Sequence, residues 1–229
     1  MQEDNKIRKA LYTINFDNYD MLHEPTVITP GWDYIVFTDN PDLKSDVFDV
    51  RVVKPHPGGG HLSARDYYIN SQKYVPEYDL TIKIGGMIQC NTNLDDFMAA
   101  KCKDTDFNLM NHCRSCTYKE AEENKKFFGE NGKTQIERQM ANYANEGFPV
   151  DFGLFANGIL IRKSNERIAE HEFLWWQEVS NPYYVTRDQL SFMYILWKHK
   201  LVTVHGFDEY WDILRNEFPI HKHGTDKKI

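Results

Sequence analysis

The stretch YYVTRDQLSFMYILWK, residues 183–198, predicts a helix around which we expect the rest of the chain to be arranged. Its apolar side chains recur at helical spacing and would form one buried stripe, made of Leu190, Met193, Tyr194 and Trp197. Thr186 and Gln189 match a capping box, in which each side chain bonds the backbone N–H of the other residue. The pattern therefore predicts a buried helix that starts at Thr186.

Arg187 and Asp188 occupy the first turn of this predicted helix. The positive end of the helix dipole favours an ionised carboxylate there. A carboxylate at the mouth of a buried helix is a candidate general base, and Arg187 or Gln189 would orient its substrate. Acidic residues are also common in the first turns of helices without catalysis, so the alternative is that Asp188 only complements the dipole.

Strand and helix patterns alternate along the whole chain. Runs of apolar and β-branched residues predict strands at 9–16, 33–40, 48–54, 78–89, 106–112, 154–164 and 201–207. Amphipathic patterns predict helices at 62–74, 94–101, 118–128, 134–147, 165–180, from 186 onward and at 208–216. Gly85-Gly86 should break the fourth strand. Residues 154–164 form either one strand or a hairpin, because Asn157-Gly158 is a typical hairpin turn. This order predicts an α/β fold, a Rossmann-like three-layer α/β/α sandwich with a mainly parallel central sheet.

Length, charge and hydropathy set the broad class. The 229 residues fit one domain, 1–229, with 215–229 expected to be a frayed tail. Lys+Arg 27 against Asp+Glu 34 gives a net charge of −7, which disfavours a nucleic-acid surface. No apolar run is long enough for a transmembrane segment. The start MQEDNKIRK is not a signal peptide, so we expect a cytoplasmic protein.

Four cysteines, at 90, 102, 113 and 116, are expected to be thiols because no secretion signal is present. Cys113 and Cys116 form a CxxC that would supply half a zinc site. The other two cysteines are too far apart in sequence to supply a second CxxC pair. A zinc centre is therefore not expected.

Ligands of open parallel sheets bind beyond the carboxyl ends of the strands. Hydroxyl, amide and aromatic side chains near the first two strand ends suit a base and a ribose, and the residues concerned are Tyr12, Thr13, Asn15, Thr38 and Asp39. The later strand ends contribute Gly85, Gly86, His112 and Arg114, with His205 a weaker candidate. The sequence has neither GxGxxG nor GxxxxGK[ST]. Bound phosphates would thus need a metal or an arginine, and Arg65 is the natural cation unless it is only a surface residue.

Trp175-Trp176 is a possible platform for stacking a sugar ring. Both residues also lie at helical spacing with other apolar side chains, so core packing is the alternative for at least one of them.

Several motifs taken in order resemble a known family: YTINFDNYD, VFTDN, AR-x-YYI, NHCRSCTYKEA, IERQMANYANEGFP, GLFANGILIRKSN, WWQEV and RDQLSF-x-Y-x-LWK. The family is the glycosyltransferase-like one first catalogued as a domain of unknown function and known from plant mucilage proteins and from bacterial and viral glycan clusters. The resemblance runs from about Tyr12 to Lys198. It implies a GT-A type fold and transfer of a sugar from a nucleoside diphosphate to a glycan or other hydroxyl acceptor.

The resemblance also implies roles for individual positions. YTINFDNYD and FTDN would line the nucleotide, and Arg65 would face the diphosphate. The strand end at Gly85 would occupy the site of Mn²⁺ or Mg²⁺. Asp188 and Gln189 would face the donor sugar and the acceptor.

One departure from the family puts the metal in doubt. This chain reads KIGGM at 83–87 where relatives commonly read like WIDGN, and Gly85 has no side chain to coordinate a cation. Tyr68 and Gln72 also depart from the family pattern. Three alternatives follow: Arg65 and Lys83 replace the metal, another acid such as Asp39 binds it, or the domain binds a nucleotide sugar with catalysis lost. We expect an active transferase. A lipid-amide hydrolase is a weaker alternative, since neither GxSxG nor HExxH is present.

Overall fold

The structure is a computed structural model that describes residues 7–223. Its strands are β1 (Lys9–Asn15), β2 (Trp32–Thr38), β3 (Asp49–Val52), β4 (Leu80–Ile84), β5 (Phe107–Asn111), β6 (Phe155–Lys163) and β7 (Val204–Phe207). Its α-helices are α1 (Gly60–Ile69), α2 (Ser71–Tyr74), α3 (Leu94–Lys101), α4 (Thr117–Asn124), α5 (Glu130–Asn145), α6 (Glu166–Val179), α7 (Asp188–His199) and α8 (Tyr210–Asn216), with a 3-10 turn at Lys125–Phe127. The predicted alternation of strands and helices is confirmed from β3 onward, whereas β1, β2 and β3 follow one another in the described chain with no helix between them.

The seven strands form one sheet in the order β3-β2-β1-β4-β6-β5-β7. All neighbouring pairs are parallel except those of β6, which is antiparallel to both β4 and β5. The prediction of a mainly parallel sheet is therefore confirmed. Six strands end at the same side of the sheet and β6 begins there, and we call this side the carboxyl edge.

Two apolar cores lie on opposite faces of the sheet, because successive residues of a strand point to opposite sides. Tyr12 of β1 and Leu160 of β6 belong to the core packed with α1, α5, α6 and α7. Leu11 and Ile161 belong to the core packed with α3 and α8. The chain is therefore the expected three-layer sandwich, and α1 and α7 cover the same face.

Three local predictions need correction. The helix predicted from Thr186 begins at Asp188, and its N-cap, Arg187, makes no side-chain cap bond. The capping box is wrong because the Gln189 Nε2 donates instead to the Phe155 carbonyl oxygen, at 3.1 Å. The hairpin alternative at Asn157-Gly158 is also wrong, since β6 runs through this dipeptide as one strand. Gly85-Gly86 does end β4, as predicted.

The predicted frayed tail, 215–229, is ordered through much of its described part. Residues 217–221 run antiparallel to 87–91: Gln89 N donates to Pro219 O at 3.0 Å, and His221 N donates to Met87 O at 2.9 Å. The tail thus covers the loop that follows β4, next to the carboxyl edge. Residues 224–229 lie outside the described part of the chain.

The described cysteines are free thiols, of which Cys90 and Cys116 are buried and Cys113 is exposed. Within residues 7–223 no helix combines the length and apolarity needed to cross a membrane.

His171 of α6 is fully buried in the apolar core. Its ring packs edge-on against Phe107 and Phe192, with centroid distances of 5.4 Å in both cases. Neither ring nitrogen has a hydrogen-bond partner among residues 7–223. Burial lowers the pKa of His171 to about 3, with smaller contributions from His199 and Arg162. The ring is therefore neutral in the folded protein at all but strongly acidic pH.

His171→Leu should reduce the acid sensitivity of folding. Between the unfolded pKa of 6.5 and the folded pKa of about 3, the unfolded chain binds a proton that the folded protein does not. Stability therefore falls with falling pH in this window, by about 2 kcal/mol between pH 7.5 and pH 5. The leucine variant should lack this loss and gain about 1 kcal/mol at pH 7.5, because two unpaired buried nitrogens are removed.

Urea unfolding at the two pH values measures both effects of the His171 substitution. His199→Leu, at a half-buried position on α7, is the matched control and should keep most of the pH dependence. Equal pH dependence in the His171→Leu variant and the parent protein would contradict the prediction.

Candidate functional site

The first turn of α7 lies at the carboxyl edge and brings together polar side chains from three elements. Arg65 of α1 places its Nε 3.1 Å from Oδ1 of Asp188. Asn157 of β6 donates from Nδ2 to Oδ2 of Asp188 at 3.0 Å. Asp188 is only 3% exposed. We call Arg65, Asn157, Arg187 and Asp188 the Asp188 cluster.

The electrostatics of the cluster keep Asp188 ionised. Burial alone would raise the pKa of Asp188, but its neighbours outweigh burial and hold that pKa below its ordinary value. Arg65 contributes most, followed by Arg187, the Asn157 hydrogen bond and Lys83. Asp188 is therefore a carboxylate at neutral pH, as its place in a first helical turn predicts.

Two guanidinium groups of the cluster have unused hydrogen-bond donors. Within residues 7–223, the buried Nε–H of Arg65 and of Arg187 has no hydrogen-bond acceptor. For Arg65 this holds despite the short distance to Asp188, because the N–H is not aligned with the carboxylate oxygen. Two arginines beside one carboxylate leave an excess of positive charge, and guanidinium groups grip phosphate through parallel N–H bonds. The charge and the unused donors of the cluster suit a phosphate-bearing anion.

The position of α7 depends on buried hydrogen bonds. Trp175 of α6 donates from Nε1 to the Asp188 carbonyl oxygen at 3.0 Å and to Ser191 Oγ at 3.2 Å. The Gln189 bond to Phe155 ties the same turn to the start of β6. Trp175 is fully buried, so the prediction of a sugar platform is wrong for this residue and core packing is confirmed. Trp175 and Gln189 hold the Asp188 cluster in place.

Lys83 of β4 is fully buried beneath the cluster. Its Nζ donates to the carbonyl oxygens of Asn157 and Gly158, at 2.6 and 3.2 Å, and lies 3.1 Å from the centre of the Tyr68 ring. Burial lowers the pKa of Lys83 well below its ordinary value, and the Asp188 carboxylate offsets this only in part. The Lys83 amine therefore donates to two main-chain carbonyl groups of β6, where this strand pairs with β4.

The residues predicted to hold a nucleotide fall into two groups. Asn15, Thr38 and Asp39 lie at the carboxyl edge: Asn15 Nδ2 donates to the Asp20 carbonyl at 2.7 Å, and Thr38 Oγ1 accepts from the Asn40 N–H at 3.1 Å. Asn15 and Thr38 are themselves buried, at 6% and 1% exposed, whereas Asp39 is half-buried. Tyr12 and Thr13 are buried within β1, before its end. The Tyr12 hydroxyl bonds the guanidinium of Arg162. The structure therefore places the first group, but neither Tyr12 nor Thr13, at the carboxyl edge.

The glycine pair after β4 meets the β1 loop at the carboxyl edge. Gly85 N donates to the Gly158 carbonyl at 2.9 Å. A Cβ at Gly86 would lie 2.8 Å from a carboxylate oxygen of Asp20 and 3.0 Å from the Ile14 carbonyl, so this close approach requires glycine. At Gly85 the nearest atom would be 3.6 Å away, which leaves room for a side chain.

The side chains at this edge do not form a complete Mn²⁺ or Mg²⁺ site of their own. Among residues 7–223, no group of three or more His, Cys, Asp or Glu is placed to hold a metal ion. Gly85 supplies no ligand, and Asp39 accepts the Asp17 N–H at 3.0 Å. His205 lies on β7, the last strand in the sheet order, far from Asp39, which follows β2. Hard divalent cations require several oxygen ligands, which these side chains alone do not supply.

His112 and Arg114 follow β5 at the same edge. The His112 Nδ1 accepts the Arg114 N–H at 3.0 Å, and its ring packs against Tyr210 with a centroid distance of 5.3 Å. Arg114 Nε donates to the buried carboxylate of Glu120 at 2.5 Å. Burial lowers the pKa of His112, so the ring is neutral near pH 7. Arg114 is thus exposed but paired with a buried carboxylate, whereas His112 faces the side of the edge where α8 begins.

Sequence reasoning missed His61 and Asn157. His61 lies one helical turn before Arg65 on α1, and this i, i+4 spacing was the available signal. Its ring is accessible to solvent but surrounded closely enough that desolvation, followed by the charge of Arg65, lowers its pKa. Asn157 had been treated only as a turn signal, although its side chain bonds Asp188.

A separate cavity of about 560 Å³ opens at the other end of β2. Its walls include Trp32, Tyr34, Asp46 and Tyr78, and none of the predicted site residues lines it.

A three-layer α/β domain with a cationic cluster at the carboxyl edge of its sheet defines a domain suited to phosphate-bearing ligands. A sequence model described as "TOD1/MUCI70, glycosyltransferase-like domain" matches residues 91–223, which is more than half of the chain. The chain therefore belongs to this glycosyltransferase-like family. Asn157, Arg187 and Asp188 lie inside the matched range, whereas Arg65 precedes it.

Two solved structures share some of the overall shape. The mannosyltransferase Ktr4p from S. cerevisiae is 10% identical, with a TM-score of 0.47, and the match covers 88% of this chain and 69% of that one. Mouse xyloside xylosyltransferase 1, in its apo form, is 11% identical, with a TM-score of 0.44 and coverage of 93% and 94%. Neither likeness is close enough to carry a conclusion about this chain. No curated protein sequence matches it.

Proposed function

We propose that this domain transfers a sugar from a nucleoside diphosphate sugar to a hydroxyl group of a glycan or another glycoconjugate. One observation carries the proposal: Arg65 and Arg187 hold unused donors beside a buried carboxylate at the carboxyl edge. The leaving diphosphate of such a reaction gathers negative charge and needs fixed cations and donors. The glycosyltransferase-like family supports the same class of reaction.

The donor is proposed to lie across the ends of the parallel strands. Its nucleoside would contact Asn15, Thr38 and Asp39, which the ends of β1 and β2 place side by side. Its diphosphate would reach Arg65 on α1, and its sugar would then meet Asp188. The order of nucleoside, diphosphate and sugar follows the positions of these residues: the ends of β1 and β2 lie side by side, and Arg65 on α1 contacts Asp188.

Asp188 is the proposed general base for an inverting transfer. Arg65 lowers the pKa of Asp188 in the free protein. When Arg65 turns to the diphosphate, Oδ1 is released and the pKa of Asp188 rises, which makes it a better proton acceptor. The acceptor oxygen gives its proton to Oδ1 and bonds the anomeric carbon. The bond from that carbon to the diphosphate breaks, and its electron pair leaves on the diphosphate, which Arg65 and Arg187 stabilise.

A thermal-shift screen tests donor binding. UDP-, GDP- and ADP-sugars, each with Mn²⁺ or with EDTA, should include at least one that raises the melting temperature, because a ligand of the native state stabilises it. We expect the shift to persist in EDTA, since the cluster supplies its own positive charge. If every donor fails under both conditions, the proposed function is wrong.

A second candidate function is binding of a nucleotide sugar without transfer. It is favoured by Gly85, which offers no metal ligand, and by the deep burial of Asp188. This candidate predicts a donor-induced thermal shift but no release of nucleoside diphosphate when hydroxyl acceptors are added. Chromatography of the nucleotide products separates the two functions.

A further inference from the structure

Three rings form a continuous row from the carboxyl edge to the surface. His112 packs against Tyr210 at a centroid distance of 5.3 Å, and Tyr210 packs against Trp211 at 4.8 Å. Both contacts are edge-to-face, with interplanar angles of 66° and 89°. Trp211 is 56% exposed. The row therefore ends in a large aromatic surface open to solvent.

The row begins next to the Asp188 cluster. His112 follows β5 and Tyr210 begins α8 just after β7, and these strands are parallel neighbours. The two strand ends are joined by a hydrogen bond of 2.8 Å from Asn111 Nδ2 to Asp208 Oδ1. His112 N donates to the Leu154 carbonyl oxygen at 2.9 Å, and the next residue, Phe155, accepts from Gln189 in the first turn of α7 at 3.1 Å, so the row starts beside the turn that carries Asp188.

Packing inside the fold does not account for Trp211. The chain has five tryptophans, all within the described residues, and Trp211 is the one found among the exposed large apolar side chains. The helix that carries it is already anchored in the core by Ile213 and Leu214. An exposed tryptophan that ends a row of rings leading to the Asp188 cluster is suited to stacking a ligand.

The chemistry around Trp211 favours an uncharged, hydroxyl-rich ligand. The C–H face of a sugar ring matches an aromatic face, and carboxylates accept hydrogen bonds from sugar hydroxyls. Exposed Asp208 and Asp212 flank the row. Arg215 places Nη1 3.8 Å from Oδ1 of Asp212 and offsets part of their negative charge. The remaining negative charge disfavours phosphates and acidic sugars at this place, whereas Arg187 favours an anion at the other end of the row.

We propose that His112, Tyr210 and Trp211 form the acceptor subsite, which binds a neutral oligosaccharide with one end at the Asp188 cluster. This inference rests on the proposed transferase function and names the class of its acceptor. Trp211 stacks one sugar ring, and Tyr210 and His112 guide the next ring toward Asp188.

Saccharide binding without any nucleotide tests the subsite. Saturation-transfer NMR and tryptophan fluorescence with cellotetraose, xylotetraose, mannotetraose and β-1,4-galactotetraose should show saturable binding of at least one. Trp211→Ala should weaken that binding roughly tenfold, and Trp211→Phe should retain most of it. Phe173→Ala is the matched control, because Phe173 is 57% exposed on α6, away from the row. It should leave binding unchanged.

The results separate this inference from the proposed function. Equal binding by the Trp211→Ala variant and the parent protein, or no saturable binding of any tetrasaccharide at millimolar concentration, overturns the subsite. Normal donor binding together with either result leaves the transferase proposal intact. Loss of saccharide binding in Trp211→Ala, with no donor bound by the parent protein, keeps the subsite and removes the transferase function. Far-UV circular dichroism and the melting temperature of each variant verify its fold.

Discussion

Replacing Arg65 with alanine should weaken binding of the donor about 100-fold. The guanidinium is the nearest cation to Asp188 and carries an unused Nε–H at the carboxyl edge. Hydrogen bonds between charged groups contribute about 1.5–3 kcal/mol each, and the upper part of this range corresponds to a factor of about 100. Arg65→Lys should recover part of the affinity, because lysine keeps the charge but lacks the planar fork. Calorimetry with the donor found by thermal shift measures both variants.

Arg138→Lys is the control for the Arg65 substitutions. Arg138 is an exposed arginine on α5 and lies over the Tyr183 ring, outside the Asp188 cluster. The Arg138→Lys variant should bind the donor with the same affinity as the parent protein. If Arg65→Ala binds the donor with unchanged affinity while folded, the diphosphate does not lie at Arg65, and the proposed donor placement is wrong.

Glu172→Gln should lower the free energy of unfolding by about 3–5 kcal/mol. Glu172 of α6 and Arg162 of β6 form a buried ion pair, with 3.0 Å between Oε1 and Nη1. Ser71 Oγ and Gln72 N donate to the same carboxylate at 2.5 and 3.0 Å. Glutamine keeps the shape but removes the charge, which leaves the Arg162 guanidinium buried without a counter-ion. Urea unfolding at pH 7.5 measures the loss.

Glu130→Gln removes a carboxylate from an exposed pair with Lys133 and is the control for Glu172→Gln. Because exposed pairs contribute little, the control should unfold like the parent protein. A loss below about 1 kcal/mol for Glu172→Gln would mean that the main-chain bonds of Arg162 suffice to hold it. Those bonds go to the carbonyls of Ile69 and Tyr68, at 2.8 and 2.7 Å, so this network also anchors the end of α1.

Elements of the fold were predictable where the signal is local. Residues 94–101 have the same bounds in the prediction and in α3, whose N-cap Asn93 accepts from the N–H groups of Asp95 and Asp96. The capping box at Thr186 failed because a tertiary partner, the Phe155 carbonyl, took the Gln189 side chain. The hairpin at Asn157-Gly158 failed because pairing with both β4 and β5 keeps β6 extended.

The candidate site was only partly readable from sequence. The start of α7 predicts a role for Asp188, and the need for a cation beside bound phosphate predicts one for Arg65; the structure places the two side chains in contact. The contribution of Asn157 was missed, since an Asn-Gly pair carries a stronger turn signal than a site signal. Trp175-Trp176 was considered for sugar stacking, whereas the exposed tryptophan of the described chain is Trp211.

The amino-acid sequence by itself determined the order of strands and helices, the central sheet and the acidic first turn of α7. These features depend on side-chain periodicity, on glycine and on residue types within a few positions of one another. Only the tertiary structure decided that β6 enters the sheet antiparallel and that Arg65, Asn157 and Asp188 meet at one edge. Those contacts join residues far apart in the chain, and they form because the elements that carry these residues must pack their apolar faces together.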